Sequence, residues 1–496
     1  MAESRHLLCM ASHAVHTTAH PTFAAPILIM LTRQSARLSK TRSLLLVLAS
    51  LLFAGHRHLA QSAELRGNPS NYRAMLGALK AGDTLTLAPG VYREGLPLHN
   101  IKGTPDHPIR IAGPAAGPPA EFFGREGHNT VSLSNTAHVH IGRLVLNGDN
   151  LEVDAVKAEG HKACTSVHHI VLEDLLIIGH GADQQVVGIA SFCSAWNWII
   201  RRNIIVGAGT GLYLGNPNGS APFAGGLIEQ NLMVDTLGYN LQIKHQLERP
   251  AGIGLPAQPT RTVIRHNLFT KANNATTGVH ARPNLLLGHL PRQGAGSSDL
   301  YEVTHNLFFC NPGESLLQAE GSLSIARNIL VNPAGDAISI QPHNDIPKSV
   351  DVQQNFVAAS GKGISISEAP SNYTQSVTGN WIYSPAGATG GKQSDNQVAP
   401  FNLAERSLAR WLGSARDAAS RSNEFAPLMD VAQRMCASRK DENQEQPSRL
   451  PEALRTHPVC QIVMQLSAAM HKPNVPASAS ETVSVEHRDT ERCSWK

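Results

Sequence analysis

An asparagine returns along this chain behind one alternating apolar phrase. It stands in Ile200-Arg201-Arg202-Asn203-Ile204-Ile205, Ile228-Glu229-Gln230-Asn231-Leu232-Met233, Ile264-Arg265-His266-Asn267-Leu268-Phe269, Val303-Thr304-His305-Asn306-Leu307-Phe308, Ile325-Ala326-Arg327-Asn328-Ile329-Leu330 and Val352-Gln353-Gln354-Asn355-Phe356-Val357. The intervals are 28, 36, 39, 22 and 27 residues. A fainter copy ends at Asn380, and Asp174 is expected to take the asparagine's place one turn before Asn203. Alternation on both sides of each Asn predicts short strands meeting at a bend, and repeats of this length predict a solenoid of parallel strands. Parallel coils stack about 4.8 Å apart, so equivalent residues form columns and a buried amide can bond to its copies above and below. The asparagines are therefore expected to form one internal ladder.

The same pattern sets the boundaries. Residues 64–125 read as a cap, with a helix across Asn71 to Lys80 and strands at Thr84 to Leu87 and Ile109 to Ile111, separated by the Pro89-Gly90 turn. Coils run from about Val131 to Ser384, giving a repeat domain over 64–385. Beyond it the strand period stops, and 386–496 read as a linker, a short helix around Leu403 to Leu412, and a weakly ordered tail. Before it, Arg33, Arg37, Lys40 and Arg42 precede the apolar run from Leu44 to Ala54, and Ala60-Gln61-Ser62-Ala63 offers small residues for cleavage. That is the layout of a secretory signal, with Met30 as the expected start and 1–63 as over-extended start plus signal. The expected location is secreted or periplasmic; the alternative is anchorage by an uncleaved apolar segment.

Composition changes the picture little. Apolar residues make up 42% and charged residues 16%, with 41 Gly and 30 Pro, which suits many turns between short strands. A net charge of +4, with no basic run interleaved with aromatics, gives no ground for a nucleic-acid partner. No integral membrane partner is expected either, and the chain reads as a monomer. Export gives the cysteines meaning: Cys164 and Cys193 hold matching places on neighbouring coils, within reach of a disulfide in an oxidising compartment. The alternative is two buried thiols. Cys310 has no equivalent partner, and Cys436, Cys460 and Cys493 cannot be paired from sequence.

Tyr72-Arg73-Ala74-Met75-Leu76, then Leu79-Lys80-Ala81-Gly82-Asp83-Thr84-Leu85-Thr86-Leu87-Ala88-Pro89-Gly90-Val91-Tyr92, Gly103-Thr104-Pro105 and Pro108-Ile109-Arg110-Ile111 form a recognisable opening. It resembles the start of parallel β-helix proteins of the pectin-lyase-like superfamily, and within it the chondroitinase B and alginate lyase group. The resemblance implies an all-β fold, a right-handed single-stranded parallel β-helix. It also implies a Lys base, an Arg on a neighbouring coil, and calcium as a cofactor held by acidic and amide side chains. Lys244 matches the Lys. Arg265-His266 imitates the group's Arg-His pair, but Arg265 sits two residues before a ladder Asn, on a different strand from Lys244. Fold does not fix function.

Aligning coils on their Asn exposes a second strand: Leu212-Tyr213-Leu214-Gly215-Asn216, Leu241-Gln242-Ile243-Lys244-His245, Leu285-Leu286-Leu287-Gly288-His289, Leu316-Leu317-Gln318-Ala319-Glu320 and Ile338-Ser339-Ile340-Gln341-Pro342. Alternation turns Tyr213, Gln242, Lys244 and Gln341 outward and stacks His245, His289 and Glu320 at the strand's end. The long loops after Lys244 and His289 add Arg249 and Arg292, and the segment before Leu285 adds His280 and Arg282. A lyase on a uronic-acid polymer must neutralise the carboxylate, remove the C5 proton and protonate the leaving oxygen. Lys244, His245 and His289 are the expected catalytic groups, with Tyr213, Gln242, Arg249, Arg282, Arg292 and Glu320 binding substrate. The alternative is that these are solvated strand ends. No metal is assigned: His245, His289 and Glu320 would lie in a near-linear column spanning about 9.6 Å, poor geometry for one ion. The expected partner is an anionic polysaccharide and the expected activity a polysaccharide lyase. The alternatives are a C5-epimerase or glycoside hydrolase on the same fold, or a non-catalytic glycan-binding β-helix.

Overall fold

The computed structural model describes residues 62–159, 164–413, 418–436, 451, 454–471 and 493. Each coil gives one short strand to each of three parallel sheets, here called I, II and III. Ile199–Arg201 lies in sheet I, Ile204–Val206 in sheet II and Thr210–Leu214 in sheet III. The next coil, Leu227–Glu229, Leu232–Val234 and Leu241–Ile243, pairs with these in parallel. Among the described residues the sheets hold 15, 12 and 11 strands. The chain is a right-handed parallel β-helix, the hand that crossovers between parallel strands adopt.

The bend between sheets I and II is where the asparagines sit. Asn203, Asn231, Asn267, Asn306, Asn328, Asn355 and Asn380 are all fully buried. From Asn231 onward, Oδ1 of each accepts both the backbone N–H and the Nδ2 of the one before it, as Asn231 does for Asn203 at 3.0 and 2.9 Å. The residue ahead of the ladder Asn takes the left-handed conformation that turns the corner: Arg202, Gln230, His266, His305, Arg327 and Gln354 have φ between 54° and 57°. Asp174 belongs to this second column and not to the ladder. It has φ 55° itself and pairs its carboxylate with Arg202. The ladder place beside Asn203 is taken by Leu175, whose N–H donates to Asn203 Oδ1 at 3.0 Å.

The amino-terminal end is plugged by helix α1, Tyr72–Leu76, shorter than the expected Asn71 to Lys80. The chain turns away after it, where Asp83 accepts the N–H groups of Ala63 and Lys80 at 2.8 Å each. Tyr72, Tyr92 and Phe122 pack together there, with ring centroids 4.6 to 5.7 Å apart. The first 61 residues, with the expected export segment, lie outside the described residues.

The other end departs from the linker expected over 386–496. Ala388–Thr389, Lys392–Ser394 and Gln397–Ala399 add one more coil. Among the described residues three helices follow: α2 (Ala404–Gly413), α3 (Ala418–Cys436) and α4 (Val459–His471). They cover the outer face of sheet II, where Leu268, Leu307, Phe309, Ile329 and Phe356 pack in one cluster with Leu408, Trp411, Phe425, Leu428 and Leu466. This explains why strands such as Leu307–Phe309 and Ile329–Asn332 are buried at every position. A parallel sheet covered on both sides loses the alternation of a half-exposed one. Disulfides join Cys436 to Cys460 and Cys310 to Cys493, so Cys310 does have a partner. A third joins Cys164 to Cys193, with Cα atoms 6.1 Å apart.

Candidate active site

The outer face of sheet III is read directly from its register. Tyr213, Gln242, Leu286, Gln318 and Ser339 occupy one column. Two residues further along each strand, Gly215, Lys244, Gly288, Glu320 and Gln341 follow. The ladder continues into this column, with Lys244 N–H on Leu214 O, Gly288 N–H on Ile243 O and Glu320 N–H on Leu287 O. The intervening Leu214, Ile243 and Leu287 are fully buried, so strand alternation turns both columns outward.

Lys244 therefore stands between two residues that have no side chain. Gly288 cannot be replaced without moving the coil, since a Cβ there would fall 2.3 Å from the backbone N of His245. Below, Gly215 leaves Lys244 free to lean over the Tyr213 ring, with Nζ 5.9 Å from its centroid. Burial holds the Lys244 ammonium below the ordinary lysine range, and the Glu320 carboxylate pulls partly the other way. Burial also pushes the Tyr213 phenol up to about 12, with Tyr239 adding to the effect, so Tyr213 keeps its proton at neutral pH.

His245 follows Lys244 and stacks on His289 of the next coil, centroids 5.3 Å apart and planes 26° from parallel. Its imidazole is held below the usual range first by burial, then by Lys244 and His289, against a bond that it donates to the Asn218 backbone carbonyl and the charge of Glu320. The turn carrying Asn218 packs tightly on this ring: a Cβ on Gly219, which has φ 79°, would come within 2.8 Å of His245 Cδ2. Lys244, Tyr213, His245 and His289 are thus brought together on one face. Phe192, which the strand alignment did not single out, extends it with its ring 5.3 Å from that of Tyr213.

The remaining expected residues behave differently. Arg249 is a structural residue, buried and ion-paired with Asp299, with further bonds to Pro256 O, Gln258 O and Thr260 Oγ1. Its loop folds back on itself, so the guanidinium is spent holding that loop. Glu320 is only 2% exposed and caps the following turn, accepting the N–H groups of Asn344 and Asp345 at 2.7 and 3.1 Å. It acts on Lys244 and His245 through its charge rather than by touching a ligand. Arg292 is exposed but clasped by Asp345 through two 2.9 Å bonds. Gln242 lies in the outward column yet is 4% exposed, flanked there by Tyr213 and Leu286, so it forms floor rather than free surface. Arg282 lies at the opposite end of the strand, 6.0 Å over the Tyr239 ring, with its NH1 on Val279 O and Ala281 O. His280 sits in the short turn Gly278–His280 before it.

Calcium, implied by the resemblance, does not fit this donor set. Asp235 bonds Asn273 N and His457 Nε2, Glu320 caps its turn, and the exposed Glu248, four residues after Lys244, is a single carboxylate where calcium takes about six to eight oxygens. A recess of about 680 Å³ lined by Ser360, Ser384, Pro385, Val398 and Phe401 lies at the last coils, without a titratable group in its lining.

No protein-family model matches the chain, and no curated protein matches it. Solved structures do. An alginate lyase from Paenibacillus sp. str. FPU-7 is similar over 68% of this chain and 96% of its own, at 16% identity and a TM-score of 0.36. The PL6 family alginate lyase AlyGC is similar over 68% of this chain, which spans 51% of that protein, at 13% identity and 0.31. The A-module of the Azotobacter vinelandii mannuronan C-5 epimerase AlgE6 is similar over 67% of this chain and 94% of its own, at 14% identity and 0.41. The fold itself is established by the register of the three sheets.

Proposed function

We propose that the chain is a lyase acting on an acidic, uronate-containing polysaccharide, with its site on the outer face of sheet III. The observation that carries this is Lys244: a half-buried amine, depressed below the lysine range by burial, set between two glycines and over a phenol that stays protonated. β-Elimination needs a base and an acid on either side of one sugar linkage. Neutral Lys244 takes the proton from C5. The electron pair of the C5–H bond forms the C4–C5 double bond, the C4–O bond breaks, and Tyr213 protonates the departing oxygen. His245 and His289 stand beside the developing carboxylate charge, where donors aimed at it lower the barrier. Tyr213, Phe192 and Tyr239 supply ring faces for the sugars, and Arg282 supplies a cation at the far edge of the same face.

The test is direct. The purified chain is incubated with alginate, pectate and glycosaminoglycans, and ultraviolet absorbance is followed for the conjugated uronate that elimination creates. Absorbance that rises with wild type and not with Lys244→Ala supports the reading; no rise on any polyuronate removes it. A second reading, non-catalytic glycan binding, is favoured by one observation: Arg249 and Arg292 are already held by Asp299 and Asp345. Binding without unsaturated product, weakening in small steps as Tyr213, Phe192 and Lys244 are replaced singly, would decide for it.

A further inference from the structure

We propose that His138, His168 and His169 form a binding site for a divalent transition-metal ion of the zinc, nickel or copper class, on sheet I and separate from the face that carries Lys244. Each can offer one ring nitrogen, and these atoms all lie within 4.8 Å of one another. Neighbouring residues of a regular strand point to opposite faces, so His168 and His169 should be unable to share a ligand. The backbone removes that obstacle. His169 has φ 54°, and His138, its partner on the preceding coil, also has φ 54°. The column continues in the same conformation through Asn197 at 55° and Gly225 at 61°. Non-glycine residues adopt this conformation infrequently, and here it recurs on successive coils.

Two consequences follow for the rings. His169 stacks on His138 with centroids 4.4 Å apart and planes 20° from parallel. His169 also meets its own neighbour, with Nδ1 of His168 and Nδ1 of His169 separated by 2.7 Å. Two ring nitrogens at that distance share one proton, so at least one of them presents a lone pair to the other. Both rings are held from behind. His168 lies flat on Trp196 of the next coil, centroids 4.3 Å apart and 14° from parallel, and the Asn197 amide bonds His169 Nε2 at 3.0 Å. Rotamers locked from outside the site are what a ligand set requires.

Imidazole nitrogens select zinc, nickel and copper over calcium and magnesium, and three of them with one water make an open tetrahedral site. Ligand nitrogens about 2.0–2.1 Å from a tetrahedral ion are about 3.3 Å apart. Entry of the metal thus opens the 2.7 Å contact slightly: the shared proton passes through solvent from Nδ1 to Nε2 of His169, and the metal–nitrogen bonds replace it. His169 then carries its proton on Nε2, and the Asn197 amide, turned over, accepts it through Oδ1. The charge of Lys102 reaches His168 and opposes a cation there. An ion held here would tie the coil of His138 to that of His168 and His169.

The test uses the full chain, stripped with chelator and titrated calorimetrically with zinc chloride in a non-coordinating buffer. One equivalent is expected to bind, and nickel or copper is expected to quench fluorescence through Trp196. His138→Asn and His169→Asn, which keep a residue tolerant of positive φ, should each weaken zinc by about tenfold or more. His168→Phe, which keeps the stack on Trp196, should do the same, while thermal melts show the fold retained. His245→Asn and His289→Asn should leave the affinity unchanged. The site is overturned if wild type shows no saturable zinc binding, or if the His138, His168 and His169 variants bind as tightly as wild type.

Discussion

Asn231 donates from both its backbone N–H and its side-chain Nδ2 to the single Oδ1 of Asn267, each at 2.9 Å. Asn267 in turn does the same to Asn306, at 2.9 and 3.0 Å. Because both donors of Asn231 are fully buried, no water replaces a lost acceptor. Asn267→Leu is therefore expected to destabilise the fold by about 1–3 kcal/mol for each orphaned donor. Denaturant unfolding measures it, with exposed Asn218→Leu as the control. A midpoint equal to wild type would show that the ladder is not holding the bend.

The ladder was legible because a column repeats its own sequence context on every coil. Its limit appears at Asp174, which resembles a ladder member but sits one residue early, in the left-handed column with Arg202. The outward column of Tyr213 and Lys244 was legible for the same reason. What spacing does not contain is the partner of a charge. Arg249 finds Asp299 across 50 residues of chain, and Glu320 finds a turn 24 residues on, and both are thereby withdrawn from the site. Helices α2 to α4 left a signal that alternation alone does not interpret: Leu307-Phe308-Phe309 and Ile329-Leu330-Val331 are apolar at every position, as in a sheet covered on both faces. The His138 cluster depends on backbone dihedrals, which no spacing displays.

If Lys244 removes the C5 proton, Lys244→Ala should lose about 10²–10⁴-fold in turnover while melting like wild type. Lys244→Arg should not rescue it, since a guanidinium keeps its charge and cannot serve as base. In wild type the rate should rise with pH as Lys244 deprotonates, and burial should place that limb below the ordinary lysine range. A pH profile of kcat/KM checks the position. An Arg variant with wild-type turnover would remove Lys244 as the base.

Arg249 gives the opposite expectation. Truncating one partner of a buried ion pair leaves the other charge unpaired and costs about 3–5 kcal/mol. Arg249→Ala should therefore lower the unfolding midpoint strongly, yet leave KM for a polyuronate near wild type at temperatures where the variant is folded. Raised KM with unchanged stability would place Arg249 in the site after all.

Lys271 couples the stability of the fold to pH. Its side chain is fully buried, and Nζ donates to Arg282 O at 2.8 Å. Burial, then the charge of Arg282, lowers it from 10.5 to about 7, with Glu314 opposing. Between about 7 and 10.5 the unfolded chain holds a proton that the folded chain has released, so stability rises with pH across that window. The slope approaches about 1.4 kcal/mol per pH unit. Below about 7 both states are protonated and the full penalty of the buried charge remains. Lys271→Met keeps the length without the charge, and Arg282 O retains its bond from Asn311 Nδ2 at 2.8 Å. Stability of wild type relative to Lys271→Met should thus climb through the window and level off below it, as read by denaturant unfolding at a series of pH values. A flat difference across the window would mean that Lys271 stays charged inside the fold, held by partners other than the Arg282 carbonyl.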